Sequence, residues 1–349
     1  MDILLFGATA AAYRYYTVQT SSSGPIIGRR VAGGVTYTLL QKQNAETSSA
    51  LIEHFSDDAK FVKLATYEGD LTVRRDREDD EKLQVGIDFA KRKGVIDPDF
   101  KPEPYISIDV LGKTPDQVAD QMLATVKAGG GGSVIVLVGL SGTGKGTTVT
   151  KLRQQLQEGQ GKKVVSWSNG NIFRSLTLLA ATWCEQQDGM SGFNADKALT
   201  KENLTSFMKM LSFGKFNGKY DTRIHGLGLD LLVSQVQNTE LKVPKVSKNI
   251  PTVAEATQGE VILFAAAAVE TMGKDGTFVL LEGREQTVNY VRTPHRFNLI
   301  LSDESLIGKR RAAQRLMAAA LSDLSESASD AVVAQALTKS LDSMVSEIA

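Results

Sequence analysis

Apolar and polar positions fall in blocks along the chain. The sharpest apolar block is Val134-Ile135-Val136-Leu137-Val138, an unbroken β-branched and aliphatic run. A run without alternation predicts a strand buried on both faces of a parallel sheet. A glycine-rich loop follows, and the polar stretch from Thr147 to Glu158 predicts a helix. Lys163 to Trp167 predicts a second short strand, and residues 171–187 a second helix. Another helix is predicted over 252–272, with an alanine run at 265–268. Thr277 to Leu281 and Phe297 to Leu301 are two further apolar strands, and 303–322 and 329–348 carry helical spacing. Strand alternating with helix predicts an open α/β fold.

The pattern is weaker in the first 128 residues. Residues 20–33 are rich in Ser and Gly and predict loop, and 34–40 predict a strand. Residues 70–82 are densely charged, the mark of a solvated face. Tyr105 to Asp109 predicts a strand, followed by a helix through Val126. Thr114 is placed to cap that helix, and Pro115 fits its first position. Gly129-Gly130-Gly131-Gly132 gives the backbone its greatest freedom and predicts a hinge or linker. The expected division is an extension at 1–60, a segment at 61–128, the glycine linker at 129–132, a core at 133–322 and a helical tail at 323–349. No internal repeat is visible.

Composition narrows the chemistry. The chain has 349 residues, with 40 Lys plus Arg balanced by 40 Asp plus Glu. A neutral chain has no general electrostatic grip on nucleic acid or anionic lipid, only local patches. Cys184 is the single cysteine, which excludes an internal disulfide. His54, His225 and His295 are scattered without metal-ligand spacing. No apolar run approaches the roughly 18 residues a membrane span needs. Residues 2–6 are too short an apolar stretch for a signal peptide, so the expected compartment is the cytoplasm, or an organelle lumen.

The candidate chemistry lies in Gly139-Leu140-Ser141-Gly142-Thr143-Gly144-Lys145-Gly146-Thr147-Thr148, between the buried strand and a helix. Strand, glycine-rich loop and helix in that order form a phosphate cradle. The loop N–H groups turn inward around phosphate oxygens, and the helix N-terminus adds positive dipole. Lys145 is suited to neutralise the β and γ phosphates of ATP, and the Thr147 or Thr148 hydroxyl to sit near Mg²⁺ or the phosphates. Glycine stands directly after the lysine, where common phosphate loops carry Ser or Thr. The Gly-Lys-Gly-Thr form resembles the nucleoside monophosphate kinases.

Further segments resemble bacterial-type cytidylate kinases within that superfamily. Ser168-Asn169-Gly170-Asn171-Ile172-Phe173-Arg174 is similar to the family's Asp-Ser-Gly-Ala-Ile-Tyr-Arg stretch, with Ser168 and Asn169 in place of Asp and Ser. The resemblance implies that Arg174, beside Gly170, grips the acceptor phosphate, as a bidentate guanidinium can. Leu281-Glu282-Gly283-Arg284-Glu285 is similar to the family's Asp-Gly-Arg-Asp, and the likeness runs without gaps to Lys309-Arg310-Arg311. It implies acceptor-phosphate contact by Arg284, and Mg²⁺ held through water by Glu282. Pro251-Thr252-Val253-Ala254-Glu255 resembles the family's Ser-x-Val-Ala, but Gln258 stands near where the family has arginine. Residues 171–275 would then be the acceptor-binding region, with 229–249 as a small β insert.

The family's lid and last strand are missing after Ser302, and similar pieces precede the phosphate loop. Residues 75–82 fit the lid spacing Arg-Asp-x-x-Asp-x-x-Arg, with Lys82 in the last place. Ile108 to Leu123 is similar to the final strand and helix. The expectation is a phosphate-loop nucleoside monophosphate kinase fold around a central parallel sheet, circularly permuted so that lid and last strand come first. Arg75 would stabilise the transferring phosphoryl group, and Asp79 and Lys82 would touch the acceptor. The alternative is a separate N-terminal domain before a truncated kinase domain.

The expected activity is ATP·Mg²⁺-dependent phosphoryl transfer to a nucleoside monophosphate, CMP or dCMP first. Lys145, Arg75 and Arg284 are the catalytic candidates. One alternative is an inactive kinase fold serving as a nucleotide-binding scaffold, with partners at 1–60 or 323–349. Another is a small-molecule hydroxyl kinase, with Glu282 as base.

Overall fold

The computed structural model describes residues 34–126 and 133–348. The loop expected at 20–33 and the tetraglycine lie outside the described residues. The first described elements are helices α1 (Tyr37–Gln41), α2 (Ala45–His54) and the 34-residue α3 (Ala59–Arg92). Then come β1 (Ile106–Asp109), α4 (Pro115–Thr125), β2 (Val134–Gly139) and α5 (Lys145–Gln154), which ends in a π-helical turn. β3 (Val164–Trp167), α6 (Asn169–Glu185), α7 (Ala195–Ala198) and α8 (Lys201–Lys209) follow. Next are β4 (Leu211–Phe216), β5 (Lys219–Gly226), β6 (Leu229–Leu232), α9 (Val233–Val236) and α10 (Pro244–Ser247). The described chain closes with α11 (Ile250–Lys274), β7 (Phe278–Glu282), α12 (Glu285–Val288), β8 (Arg296–Ile300), α13 (Ser305–Ser322) and α14 (Asp330–Ser346).

Five strands form one sheet in the order β1-β8-β2-β7-β3. Every pairing in it is parallel. The protein is therefore α/β, built on a five-stranded parallel sheet with helices on both faces. The unbroken apolar strands serve both layers at once. On β2, Ile135 and Leu137 join the cluster under α4 and α5, while Val136 and Val138 join the cluster under α6 and α11. On β7, Phe278 and Leu280 face the first layer, and Val279 and Leu281 the second. A strand that must be apolar at every position reads in sequence as a continuous run.

β1 and α4 belong to this same sheet. β1 pairs with β8 at the edge, and α4 packs beside α5. Thr114 accepts from the Gln117 N–H while the Gln117 side chain accepts from the Thr114 N–H, a capping box, with Pro115 in the first turn.

A third cluster lies between helices alone. Leu40, Leu51, Phe61 and Leu64 from α1, α2 and α3 pack against Leu316 of α13 and Leu337 of α14. The described part of the N-terminal extension and the C-terminal tail thus share one core. α3 starts at Asp58, whose carboxylate accepts from the Lys60 and Phe61 N–H groups, and runs on across α13 and α11. Its approach to α13 is backbone-close, because a Cβ at Gly308 would overlap the Ala65 carbonyl.

Three expectations are corrected. Residues 34–40 hold helix α1 rather than a strand, because Thr36 caps the Leu39 N–H and Leu40 docks into the helical core. Residues 70–82 lie inside α3, and Thr72 and Asp76 on its inner face are buried. The β insert is an antiparallel sheet β4-β5-β6 spanning 211–232, so only β6 falls within 229–249 and the rest is helical turns. Asn217-Gly218 and Leu227-Gly228 make its turns with positive φ at all four residues. Asn-Gly is the strongest short hairpin signal in a sequence.

α11 is, among the described residues, the helix long and apolar enough to cross a membrane, but half of that window is buried inside the fold. It is a core helix covering one face of the sheet.

Candidate functional site

All five strands run parallel, so their carboxyl ends share one edge, where open α/β sheets hold ligands. Residues 139–144 leave the middle strand at that edge and turn into α5. Gly139 has φ of 144°, and a Cβ there would stand 2.5 Å from the Leu299 carbonyl oxygen, so only glycine fits. Thr143 donates its hydroxyl to the Leu140 carbonyl at 2.8 Å, closing the loop on itself. Gly144 precedes α5 at φ 88° and brings no side-chain cap. The first-turn N–H groups therefore have no capping side chain, and they belong to residues that line a cavity, Ser141 to Thr148. Lys145 donates to the carbonyls of Gly139 at 2.7 Å and Leu140 at 2.9 Å, and Arg310 of α13 donates to the Gly142 carbonyl at 2.8 Å. Of the two candidate hydroxyls, Thr147 is exposed and Thr148 is buried.

The cavity over the loop measures about 770 Å³. Its walls come from elements far apart in sequence: Asn44, Glu46, Ser48 and Ser49 of the α1–α2 turn and α2, Lys113 and Thr114 before α4, Glu282 after β7, and Arg310 and Arg311 of α13. Lys113, Lys145, Arg310 and Arg311 outnumber Glu46 and Glu282, so the lining favours an anion.

Asp76 of α3 reaches the tip of the loop. It is 1 % exposed and accepts from the Ser141 N–H at 2.7 Å, the Ser141 hydroxyl at 2.7 Å and Arg284 at 2.7 Å. Arg284 also faces Asp79 at 3.5 Å and Asp80 at 3.6 Å. Burial pushes the Asp76 carboxyl up, but the Arg284 and Ser141 hydrogen bonds together hold it below the ordinary value. Asp80 goes the other way: burial raises it most, Arg284 pulls it down, and repulsion from Asp76 and Asp79 adds to the rise, so the carboxyl lies above its ordinary value. Lys145 is lowered by burial first and by the Arg284 charge second, against the pull of Asp76, Glu282 and Asp80. Burial lowers Arg310 as well.

The sequence candidates separate into groups. Ser141, Gly142, Thr143, Gly144, Lys145, Gly146, Thr147, Thr148 and Glu282 line one cavity. Gly139 and Arg284 line a second cavity of about 300 Å³ together with Asp80 and Asn298. Gly170 and Arg174 lie at the start of α6, after the edge strand β3, with Arg174 donating to Asn171 at 3.1 Å. Asn169 beside them is buried, and its Nδ2 has no hydrogen-bond partner among the described residues. Asp79 joins Arg284, whereas Arg75 and Lys82 are exposed on α3 and belong to neither cavity. Gln258 is buried against Gly86 of α3. Among the described residues no group of three or more His, Cys, Asp or Glu has metal-holding geometry.

Asp76 falls in the lid-like spacing at 75–82, but nothing in the sequence assigned it a role of its own. Its signal is a carboxylate at the same helical face as Thr72 in a run otherwise open to solvent. Asn44, Glu46, Ser48 and Ser49 carried no signal at all, since their role depends on how α2 docks. No family model matches this chain, and no curated protein matches it.

Proposed function

We propose that the chain binds a nucleoside triphosphate on the 139–148 loop and transfers its terminal phosphoryl group to a nucleoside monophosphate, CMP or dCMP first. The observation that carries this reading is the loop at the end of the middle strand, with uncapped N–H groups and Lys145 beside an open, cationic cavity. Such a cradle suits phosphate. Lys145 exchanges two carbonyl contacts for phosphate oxygens, and the loop amides orient the chain of phosphates. Arg284, after β7 beside β2, and Arg174, after the edge strand β3, are the acceptor-side cations. Positioning and charge neutralisation supply most of such a reaction. Thr147 and Glu282 offer the exposed hydroxyl and carboxylate that would hold Mg²⁺ together with phosphate and water, and the bound ion would neutralise charge on the phosphates.

Permutation of a nucleoside monophosphate kinase fold accounts for the chain order. β1 and α4 fill the sheet position that a strand and helix following β8 would take. A separate N-terminal domain would leave that edge open.

A second reading has its own observation. Arg284 is engaged by Asp76, and α3 lies over Gln258. That arrangement favours a scaffold that binds nucleotide without passing phosphate on. The test is CDP formation from ATP·Mg²⁺ and CMP, followed by chromatography. Transfer lost in Lys145→Ala supports the kinase. Nucleotide binding without any CDP, UDP or ADP product from the matching acceptor supports the scaffold and overturns the first reading.

A further inference from the structure

The seam between α3 and α13 is apolar inside and cationic along one flank. At Phe61, Leu64 and Ala65 it is apolar and packs on Ala312, Leu316 and Ala320. Alongside that seam the same helices enclose a groove of about 710 Å³ whose lining includes Arg74, Arg75, Arg311 and Arg315. Its two carboxylates are Glu68, which is buried and takes up Arg315, and Glu78. Arg74, Arg75 and Arg311 have no carboxylate partner among the described residues. Three guanidinium groups that share the groove with Glu78 but pair with no carboxylate repel one another, and an anion bound between them removes that cost.

The groove is not isolated. Arg311 and Gln314 line both it and the cavity over the phosphate loop, so the two spaces adjoin. A ligand held on the loop and carrying further phosphates has a cationic path to follow. Planar arginine forks, rather than lysines, line that path, which suits phosphate oxygens. We propose that the Arg74–Arg75–Arg311 groove is a second anion subsite, and that it takes the outer phosphates of a chain longer than a triphosphate. The proposal rests on the loop being a phosphate site. It also gives Arg75 a task away from the transferring phosphoryl group.

The test uses inorganic probes, so that no base or acceptor enters. Pyrophosphate and linear tetraphosphate are titrated by calorimetry at fixed ionic strength into wild type, Lys145→Ala and the double variant Arg74→Gln/Arg75→Gln. Both arginines are exposed, and a thermal melt verifies that the double variant is folded. Tetraphosphate is expected to bind at least tenfold tighter than pyrophosphate. The arginine variant is expected to erase that margin while leaving pyrophosphate within twofold. Lys145→Ala weakens both probes. Tetraphosphate affinity that ignores the arginines, or no tetraphosphate binding, overturns the groove. Pyrophosphate binding that ignores Lys145 overturns the phosphate-loop reading instead.

Discussion

Asp76 is the residue on which the loop, α3 and β7 converge. Its carboxylate is buried and meets three donors, so removing it leaves Arg284 beside Asp79 and Asp80 and the Ser141 N–H without its acceptor. Breaking a buried charged pair from one side costs about 3 kcal/mol or more. Asp76→Ala is expected to lose about that much in a urea melt. The pH dependence has a definite sign. The folded-state pKa of Asp76 lies below the ordinary 3.8, so its stabilisation is fully present above that value. It is lost as pH falls from there through the folded value. The stability gap between wild type and Asp76→Asn should therefore shrink below pH 3.8, read from melts across a pH series. A gap that stays constant to lower pH would show that Asp76 contributes by shape rather than charge. Asp76→Asn also frees Arg284, and its affinity for pyrophosphate is expected to rise several-fold.

At the scale of elements, the position of α3 decides what the site can do. The helix approaches α13 at Gly308, and α11 at Gly259, where a Cβ would stand 2.7 Å from the Ala90 Cβ. Gly308→Ala pushes α3 away from the loop, with an expected loss of about 1–3 kcal/mol as in other overpacked cores. Thermal melts measure it, and an unchanged midpoint would mean that the crossing is loose. Strands β2, β7 and β8 and helices α4, α6, α11, α13 and α14 were legible in the sequence, because each must be apolar on whole faces or carries its own cap. The strand, glycine-rich turn and helix over 134–154 were legible because their signals are local. α1 was misread, since Val35, Thr36 and Tyr37 have strand propensity that docking of Leu40 overrides. Asp76 and the cavity wall at Asn44, Glu46, Ser48 and Ser49 were not legible, because their roles arise from contacts across 65 residues and more, such as Asp76 with Ser141. The β insert had a readable signal in Asn217-Gly218.

At the scale of the molecule, elements from both ends of the described chain meet in one helical core, and the cavity over the loop has walls from each. α14 lines no part of that cavity but packs on α13, which does. Leu337 is fully buried in that core, and Leu337→Ala is expected to cost about 2–5 kcal/mol. The arrangement also brings the loop, Arg174 and Arg284 to one sheet edge, which is the ground for reading the protein as a phosphoryl-transfer enzyme. The most direct measurement is a coupled assay of ADP release from ATP·Mg²⁺ with CMP, dCMP, UMP and AMP supplied in turn, and Lys145→Ala as the blank. Turnover is expected to require an acceptor, to be greatest with CMP or dCMP, and to vanish in the blank. A folded protein that binds ATP but shows no acceptor-dependent turnover with any of the four would contradict this expectation.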